Sequence, residues 1–216
     1  MQSTTPTTVT IAEIELLLLP EAAIYVPDRQ VLLVADLHLG KAEHFRKHGI
    51  GLPGDVTQRD LEKLSELIAT YLPARVVILG DLFHSDYNPS WERFMDLVRS
   101  YESVDFRLVV GNHDILEDSN YEGLTLSYQY TIGNIVCTHE PLDVSMENRY
   151  NLCGHIHPGA RLRGKGRQYL KLPCYHFGAH TGIMPAFGSF TGLHIVKPVA
   201  GDQIYVIGEQ LVSRVY

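Results

Sequence analysis

The stretch VLLVADLHLGK, residues Val31 to Lys41, decides how the chain is read. Val31 to Ala35 are five consecutive apolar residues, the pattern of a strand buried on both faces. A buried strand normally leaves the core through a turn. This one runs into Asp36 and His38, a carboxylate and an imidazole spaced to point the same way, then Gly40 and Lys41.

The same form recurs along the chain. Arg75–Leu79 leads into Gly80 and Asp81, and Phe106–Val110 leads into Gly111, Asn112, His113 and Asp114. Ile135–Thr138 leads into His139, and the short run NLC leads into Gly154, His155 and His157. In open α/β sheets, ligands sit in the crevice beyond the carboxyl ends of the strands. These ends would bring together aspartates, an asparagine and five histidines, with no thiolate among them. Oxygen and imidazole donors of this kind suit Mn²⁺, Fe²⁺ or Zn²⁺ better than Ca²⁺ or a structural zinc. Taken singly, a histidine after a strand is more often a hydrogen-bonded structural residue, and GNHD alone reads as a turn. The conjunction of five such ends is what points to metal.

Between these strands, apolar residues from Val56 to Tyr71 recur at helical spacing, and Pro73 ends that helix. A second helix is predicted over about 90–101, with Trp91, Phe94, Met95 and Val98 on one face. After Tyr101 the helices stop and strand-like runs follow one another. Strand–helix alternation followed by a run of strands predicts an α/β fold of two mixed β-sheets facing each other, with helices outside. Residues 1–10 read as a flexible threonine-rich tail and residues 11–216 as a single domain.

Composition narrows the setting. Lys and Arg number 18 against 25 Asp and Glu, a formal charge of −7, which argues against a generally basic nucleic-acid-coating surface. Divalent cations held by carboxylates would offset part of that charge. Three cysteines, Cys137, Cys153 and Cys174, fit reduced thiols rather than a disulfide framework. The start, MQSTTPTTVT, has no basic leader region, and Leu16 to Leu19 is too short to span a bilayer. A cytoplasmic protein with no membrane partner is expected.

Two basic stretches flank the motifs. GKAEHFRKHG carries Lys41, Arg46 and Lys47, and RLRGKGRQYLK carries Arg161, Arg163, Lys165, Arg167 and Lys171. Either they hold a phosphodiester backbone by phosphate contacts, or they are a solvated helix face and a hairpin tip. His176 and His180 read as surface or core residues.

The ordered set DLH, GD, GNHD, THE and GHIH resembles the calcineurin-like metallophosphoesterase superfamily. A narrower likeness lies in ADLHLGKAEHFRKHGIGLP and in MPAFGSFTG, Met184 to Gly192. These are most similar to the bacterial ligase-associated DNA damage response endonucleases, the PdeM family. The resemblance implies a four-layer α/β/β/α metallophosphoesterase sandwich with a two-metal site at its edge. It implies that Asp36, His38 and His157 hold one metal, that Asn112, His139 and His155 hold the other, and that Asp81 bridges them. Two such metals activate water and clamp the attacking and leaving oxygens of a phosphoryl displacement. By the same resemblance, His113 is not a ligand but the catalytic residue that stabilises phosphoryl charge or protonates the leaving oxygen. Asp114 either orients His113 or stabilises the turn.

One departure stands out. Where the Ser/Thr phosphatase branch has an Asp partnering the catalytic His, this chain has His84, which makes a protein phosphatase less expected. His84 either contacts substrate or covers the site. The leading expectation is a dinuclear, manganese-dependent phosphodiesterase or nuclease acting on DNA or nucleotides in DNA repair. Lys41, His84, Arg161 and Arg163 are its candidate substrate contacts. The family resemblance adds a functional association with a DNA ligase, a helicase and an exonuclease. The alternatives are a phosphomonoesterase, a small-nucleotide phosphodiesterase, or a catalytically silent scaffold. The complete donor set and His113 argue against the scaffold.

Overall fold

A computed structural model describes residues 5–41, 55–83, 89–143, 147–164, 166 and 168–216. The apolar runs become strands of two mixed sheets. In the first, seven strands lie side by side in chain order: β1 (Thr7–Ile11), β2 (Ile14–Leu19), β3 (Ala23–Val26), β4 (Val31–Val34), β5 (Arg75–Leu79), β6 (Asp105–Val109) and β7 (Thr125–Ser127). The first four are antiparallel neighbours, and β4 to β7 are parallel. Leu33 is opposite Val77 and Val77 is opposite Arg107, so β4, β5 and β6 end at a common level. That level is where the donor residues emerge.

Parallel strands need crossovers, and helices supply them. Helix α1 (Val56–Tyr71) lies between β4 and β5 in the chain, and α2 (Pro89–Ser100) lies between β5 and β6. The Asp55 carboxylate starts α1 by accepting the Gln58 N–H at 3.1 Å. It ends at Leu72, left-handed, whose N–H bonds the Ile68 carbonyl, with Pro73 next. Leu61, Leu64, Leu67 and Ile68 of α1, with Phe94, Met95 and Val98 of α2, pack against Leu32, Val34, Val76 and Ile78 on the outer face of the first sheet.

The second sheet comprises β8 (Tyr130–Ile132), β9 (Ile135–Thr138), β10 (Tyr150–Cys153), β11 (Pro158–Arg163), β12 (Tyr169–Phe177), β13 (Thr181–Ile183), β14 (His194–Ile195), β15 (Gln203–Ile207) and β16 (Val212–Arg214). Strands β9, β10 and β13 are parallel neighbours; β12 pairs antiparallel with β11, β13 and β15. The main core lies between the sheets. Leu33, Val77 and Val109 from one meet Cys137, Leu152 and Tyr175 from the other. Each fully buried side chain of this size contributes about 1.5–3 kcal/mol relative to exposure.

The two sheets flanked by helices match the expected α/β metallophosphoesterase architecture. Among the described residues, both helices lie on the seven-stranded sheet. The outer face of the second sheet carries a small cluster of Ala160, Cys174, Ile204 and Val206.

The start of the chain departs from expectation. Residues 7–10, read as tail, belong to β1, which pairs with β2 from Thr7 opposite Leu18 to Ile11 opposite Ile14. The threonines suggested a polar tail, but they are β-branched and fit a pleated edge. Val9 and Ile11 alternate with them and are buried. The tight turn uses Ala12 and Glu13 at positive φ of 47° and 67°, without the Gly or Asn that would have marked it.

The three cysteines are free and buried. Burial pushes the Cys137 and Cys174 thiols up to about 12, so they are inert at neutral pH. No helix among the described residues is long and apolar enough to cross a membrane.

Candidate metal centre

The parallel pairing of β4 and β5 continues beyond their ends. The N–H groups of Asp36, His38 and Leu39 donate to the carbonyls of Gly80, Asp81 and Leu82 at 3.2, 2.9 and 2.9 Å. Two donor-bearing loops are thereby fixed to each other. The two-residue spacing of Asp36 and His38 does put them on one side, but not through extended alternation. Both residues are left-handed, with φ of 54° and 47°, while Leu37 and Leu39 are buried in the helix-side core.

Left-handed backbone is a feature of the whole site. Asp81, His155 and His157 also have positive φ, at 49°, 66° and 51°. For residues other than glycine, such a conformation costs about 1–2 kcal/mol each. The surrounding hydrogen bonds must hold them there. Gly80, at φ +75°, is needed for a second reason: a Cβ there would lie 2.1 Å from His139 Nδ1. The glycine lets β5 and β9 bring their donors together.

The side chains form two adjacent groups, Asp36 with His38 and His157, and Asp81 with His139 and His155. In the first, His38 Nε2 and His157 Nε2 lie 3.3 Å apart, and His157 Nε2 is 3.8 Å from Asp36 Oδ2. In the second, His139 Nε2 is 3.0 Å from His155 Nδ1, 3.3 Å from Asp81 Oδ1 and 2.9 Å from Asn112 Oδ1. Asp81 spans the pair: its other oxygen, Oδ2, is 3.6 Å from His38 Nε2.

The donor set fits divalent cations. His139 Nδ1 is 3.1 Å from the Leu79 carbonyl, which can only accept. In the neutral ring, Nδ1 carries the hydrogen and Nε2 presents a lone pair. That lone pair faces Asn112 Oδ1 and Asp81 Oδ1, which are acceptors too. Asp36 and Asp81 are 0% and 2% exposed, their close ion-pair neighbours His38, His139 and His157 are imidazoles, and Lys41 acts on them only from the rim. Converging lone pairs around buried carboxylates need positive charge between them.

The residues of the GNHD loop lie beside this centre. The His113 N–H donates to Asp81 Oδ1 at 3.0 Å, and its ring stands edge-on to His38 with centroids 5.4 Å apart. Asp114 serves the turn. Its carboxylate accepts the N–H groups of Gly111 and Leu82 at 2.8 and 2.9 Å, tying the GNHD loop to the GDLF loop. Burial is the main reason its pKa rises, to about 6. Asp36 does the same for another loop, accepting the His155 N–H at 2.9 Å.

Lys41 is half-buried at the rim; burial lowers its pKa while Asp81 and Asp36 pull it back up. His84, Arg46, Lys47, Lys165 and Arg167 lie outside the described residues. Arg161 and Arg163 are exposed on β11, which begins one residue after His157. Of the other described histidines, His176 pairs with Asp202 at 2.8 Å, and His180 and His194 are exposed.

Sequence reading missed two charged residues of α1. Asp60 and Lys63 hold the segment Ala186–Ser189, which runs beside the Asp36 loop. Ser189 donates to Asp60 through its N–H at 3.0 Å and its hydroxyl at 2.5 Å. The Lys63 ammonium donates to the Phe187 carbonyl at 2.7 Å. A buried Asp within a helix's apolar face was the available signal.

Such paired donor groups at the carboxyl ends of a two-sheet sandwich define a metal-dependent phosphoesterase. The chain belongs to the calcineurin-like phosphoesterase family, whose model matches residues 29–178. Among solved structures, the Pseudomonas putida nuclease MPE is similar over 98% of this chain and 100% of that chain, at 28% identity and a TM-score of 0.82. That likeness is consistent with the narrower ligase-associated endonuclease resemblance. The Escherichia coli phosphoesterase Yfce covers 86% of this chain and 97% of its own at 18% identity and a TM-score of 0.42, too low to carry an argument. A search of curated protein sequences finds no match.

Proposed function

We propose that this protein is a dinuclear metal-dependent phosphodiesterase that cleaves phosphodiester bonds in DNA or nucleotides, most simply a nuclease of DNA repair using Mn²⁺. The observation that carries the reading is Asp81, whose Oδ1 and Oδ2 are directed at imidazoles of two different donor groups. Asp36, His38 and His157 would hold one ion, Asn112, His139 and His155 the other, with Asp81 between. When bound, the ions supply Lewis-acid activation and charge neutralisation for attack on phosphorus.

The chain's own residues do the rest. The His113 amide fixes the Asp81 carboxylate, and its half-buried ring beside His38 is placed to meet a phosphoryl or leaving oxygen. Protonated, it would stabilise developing charge or pass its proton to the departing alkoxide. Lys41 would add a positive charge at the rim.

Substrate size is the finer question. The hairpin of β11 and β12 is two-faced. Arg161 is opposite Lys171, and Arg163 opposite Tyr169, so these four share one face. The Arg161 guanidinium lies 3.7 Å over the Tyr169 ring. Ala160, Leu162 and Leu172 take the other face and pack on the sheet. An exposed face of cations and one aromatic on a −7 chain supports a nucleic-acid backbone as substrate. The nuclease relative supports the same substrate class. Association with a ligase, helicase and exonuclease is part of the proposal, and rests on family resemblance alone.

The test is a manganese-supplemented assay on single-stranded, duplex and nicked DNA beside small chromogenic mono- and diesters. Neutralising Arg161, Arg163 and Lys171 to Gln is expected to weaken DNA binding and flatten its log–log salt dependence by roughly 0.7–0.9 per lost phosphate contact. Small-diester turnover is expected to hold. Unchanged DNA cleavage at every salt concentration would favour a small substrate instead.

A further inference from the structure

Asp60 is a buried charge and Lys63 a half-buried one, on a helix that contributes no donor to the metal centre. We infer that they are positioning residues for the Asp36–His38–His157 group, acting through the Ala186–Ser189 segment. The inference rests on the dinuclear reading above and assigns the residues that hold one of its two halves in shape.

The geometry forms a continuous chain of contacts. Asp60, 4% exposed, accepts both the N–H and the hydroxyl of Ser189. Lys63 donates to the Phe187 carbonyl and lies 3.8 Å over the Phe187 ring and 3.8 Å from Asp60 Oδ1. Clamped at these two residues, the segment turns its remaining backbone donors to the loop after β4. The Phe187 N–H donates to the Ala35 carbonyl at 2.7 Å and the Gly188 N–H to the Asp36 carbonyl at 3.2 Å. A Cβ on Gly188 would stand 2.2 Å from the Leu37 carbonyl oxygen, so the segment presses directly on that loop.

That loop is strained, with Asp36 and His38 both left-handed. Removing the clamp removes part of what holds it there, and the carboxylate and imidazole lose their mutual aim. The second group shares one tie with this loop, the His155 N–H on Asp36, but its other anchors are separate: the Leu79 carbonyl at His139, the His113 amide at Asp81, and the Asp114 tie between loops. The effect therefore falls mainly on one ion of the pair. Residues that orient ligands from behind typically govern metal affinity by 10–100-fold.

The experiment titrates Mn²⁺ into the full-length protein by calorimetry and follows electron paramagnetic resonance. Asp60→Ala is expected to weaken one of two manganese sites by about tenfold or more and the other by less than threefold. At intermediate loading, the variant should show a mononuclear six-line signal where the parent shows an exchange-coupled pair. Asp60→Asn, which keeps one acceptor for Ser189, should recover part of the loss. If Asp60→Ala does not fold, Ser189→Ala removes only the hydroxyl contact and should give roughly a threefold or larger one-site loss. A parent that binds two ions while Asp60→Ala, Ser189→Ala and Lys63→Met bind both at parent affinity overturns the inference alone. Equal weakening of both sites in a folded variant overturns it too. A parent that binds only one ion overturns the dinuclear reading, and the inference with it.

Discussion

Substituting Gly80 by alanine tests whether the strands are as close at the site as the structure places them. The new Cβ would lie 2.1 Å from His139 Nδ1, 2.4 Å from its Cγ and 2.8 Å from its Cβ. Ordinary carbon contacts are about 3.5–4 Å, so the imidazole must retreat by more than ~1 Å. Retreat breaks the bond between His139 Nδ1 and the Leu79 carbonyl, worth about 1 kcal/mol. Alanine at φ +75° adds about 1–2 kcal/mol, and the overpacking itself about 1–3 kcal/mol. A loss of about 3 kcal/mol or more is expected, which lowers Tm by roughly 2–4 °C per kcal/mol in a chain of this size. A displacement of about 1 Å at a catalytic centre can cost 10²-fold in rate. The assay is a thermal melt with and without Mn²⁺ beside a metal titration and turnover measurement. Gly201→Ala is the control, because Gly201 has φ +98° with nothing within 4 Å of its added Cβ. The control should lose only the backbone cost and bind metal normally. If Gly80→Ala behaves like Gly201→Ala in melt, metal binding and turnover, the placement of His139 against β5 is wrong.

Other outcomes follow from the same geometry. Asp81→Asn should weaken both ions, whereas His38→Ala should weaken mainly one, as seen by metal analysis after gel filtration; equal effects would remove the bridging role. His113→Ala should keep near-normal metal content while turnover falls by about 10²-fold or more, and parallel loss of metal would make it a ligand or a folding residue. Far from the site, Arg75 and Arg107 donate to Asp105 at 2.7 and 2.9 Å. Burial raises the Asp105 pKa, but the two guanidinium bonds outweigh it and hold it below its ordinary value. A depressed folded pKa means stability present above the unfolded value, near 4, and lost as pH falls through the folded one. Asp105→Asn should therefore cost about 0.5–1 kcal/mol at pH 7, reduced by solvent exposure, and nearly nothing near pH 2 in denaturant melts.

The donor residues were legible because each sits directly after an apolar run, and a buried parallel strand reveals its carboxyl end by composition alone. Helix α1 was legible from Leu61, Leu64, Leu67 and Ile68 for the same reason. What was hidden depends on backbone or on distant pairing. The left-handed turns at Asp36 and His38 carry no glycine, so their geometry looked like plain alternation. The β1–β2 hairpin turns through Ala12 and Glu13 and left β1 looking like a tail. Asp60 and Lys63 drew no notice because their partners, Ser189 and Phe187, are more than a hundred residues away. The Asp114 tie was one of two readings, and its distant half, the Leu82 amide, lies in a loop far along the chain.

The central claim is that two ions sit side by side with Asp81 between them. Anomalous scattering at the manganese edge, from crystals grown with Mn²⁺, tests it most directly. Two peaks are predicted, one among Asp36, His38 and His157 and one among Asn112, His139 and His155, each within bonding distance of a different Asp81 oxygen. One peak, or two peaks that do not share Asp81, would contradict the account.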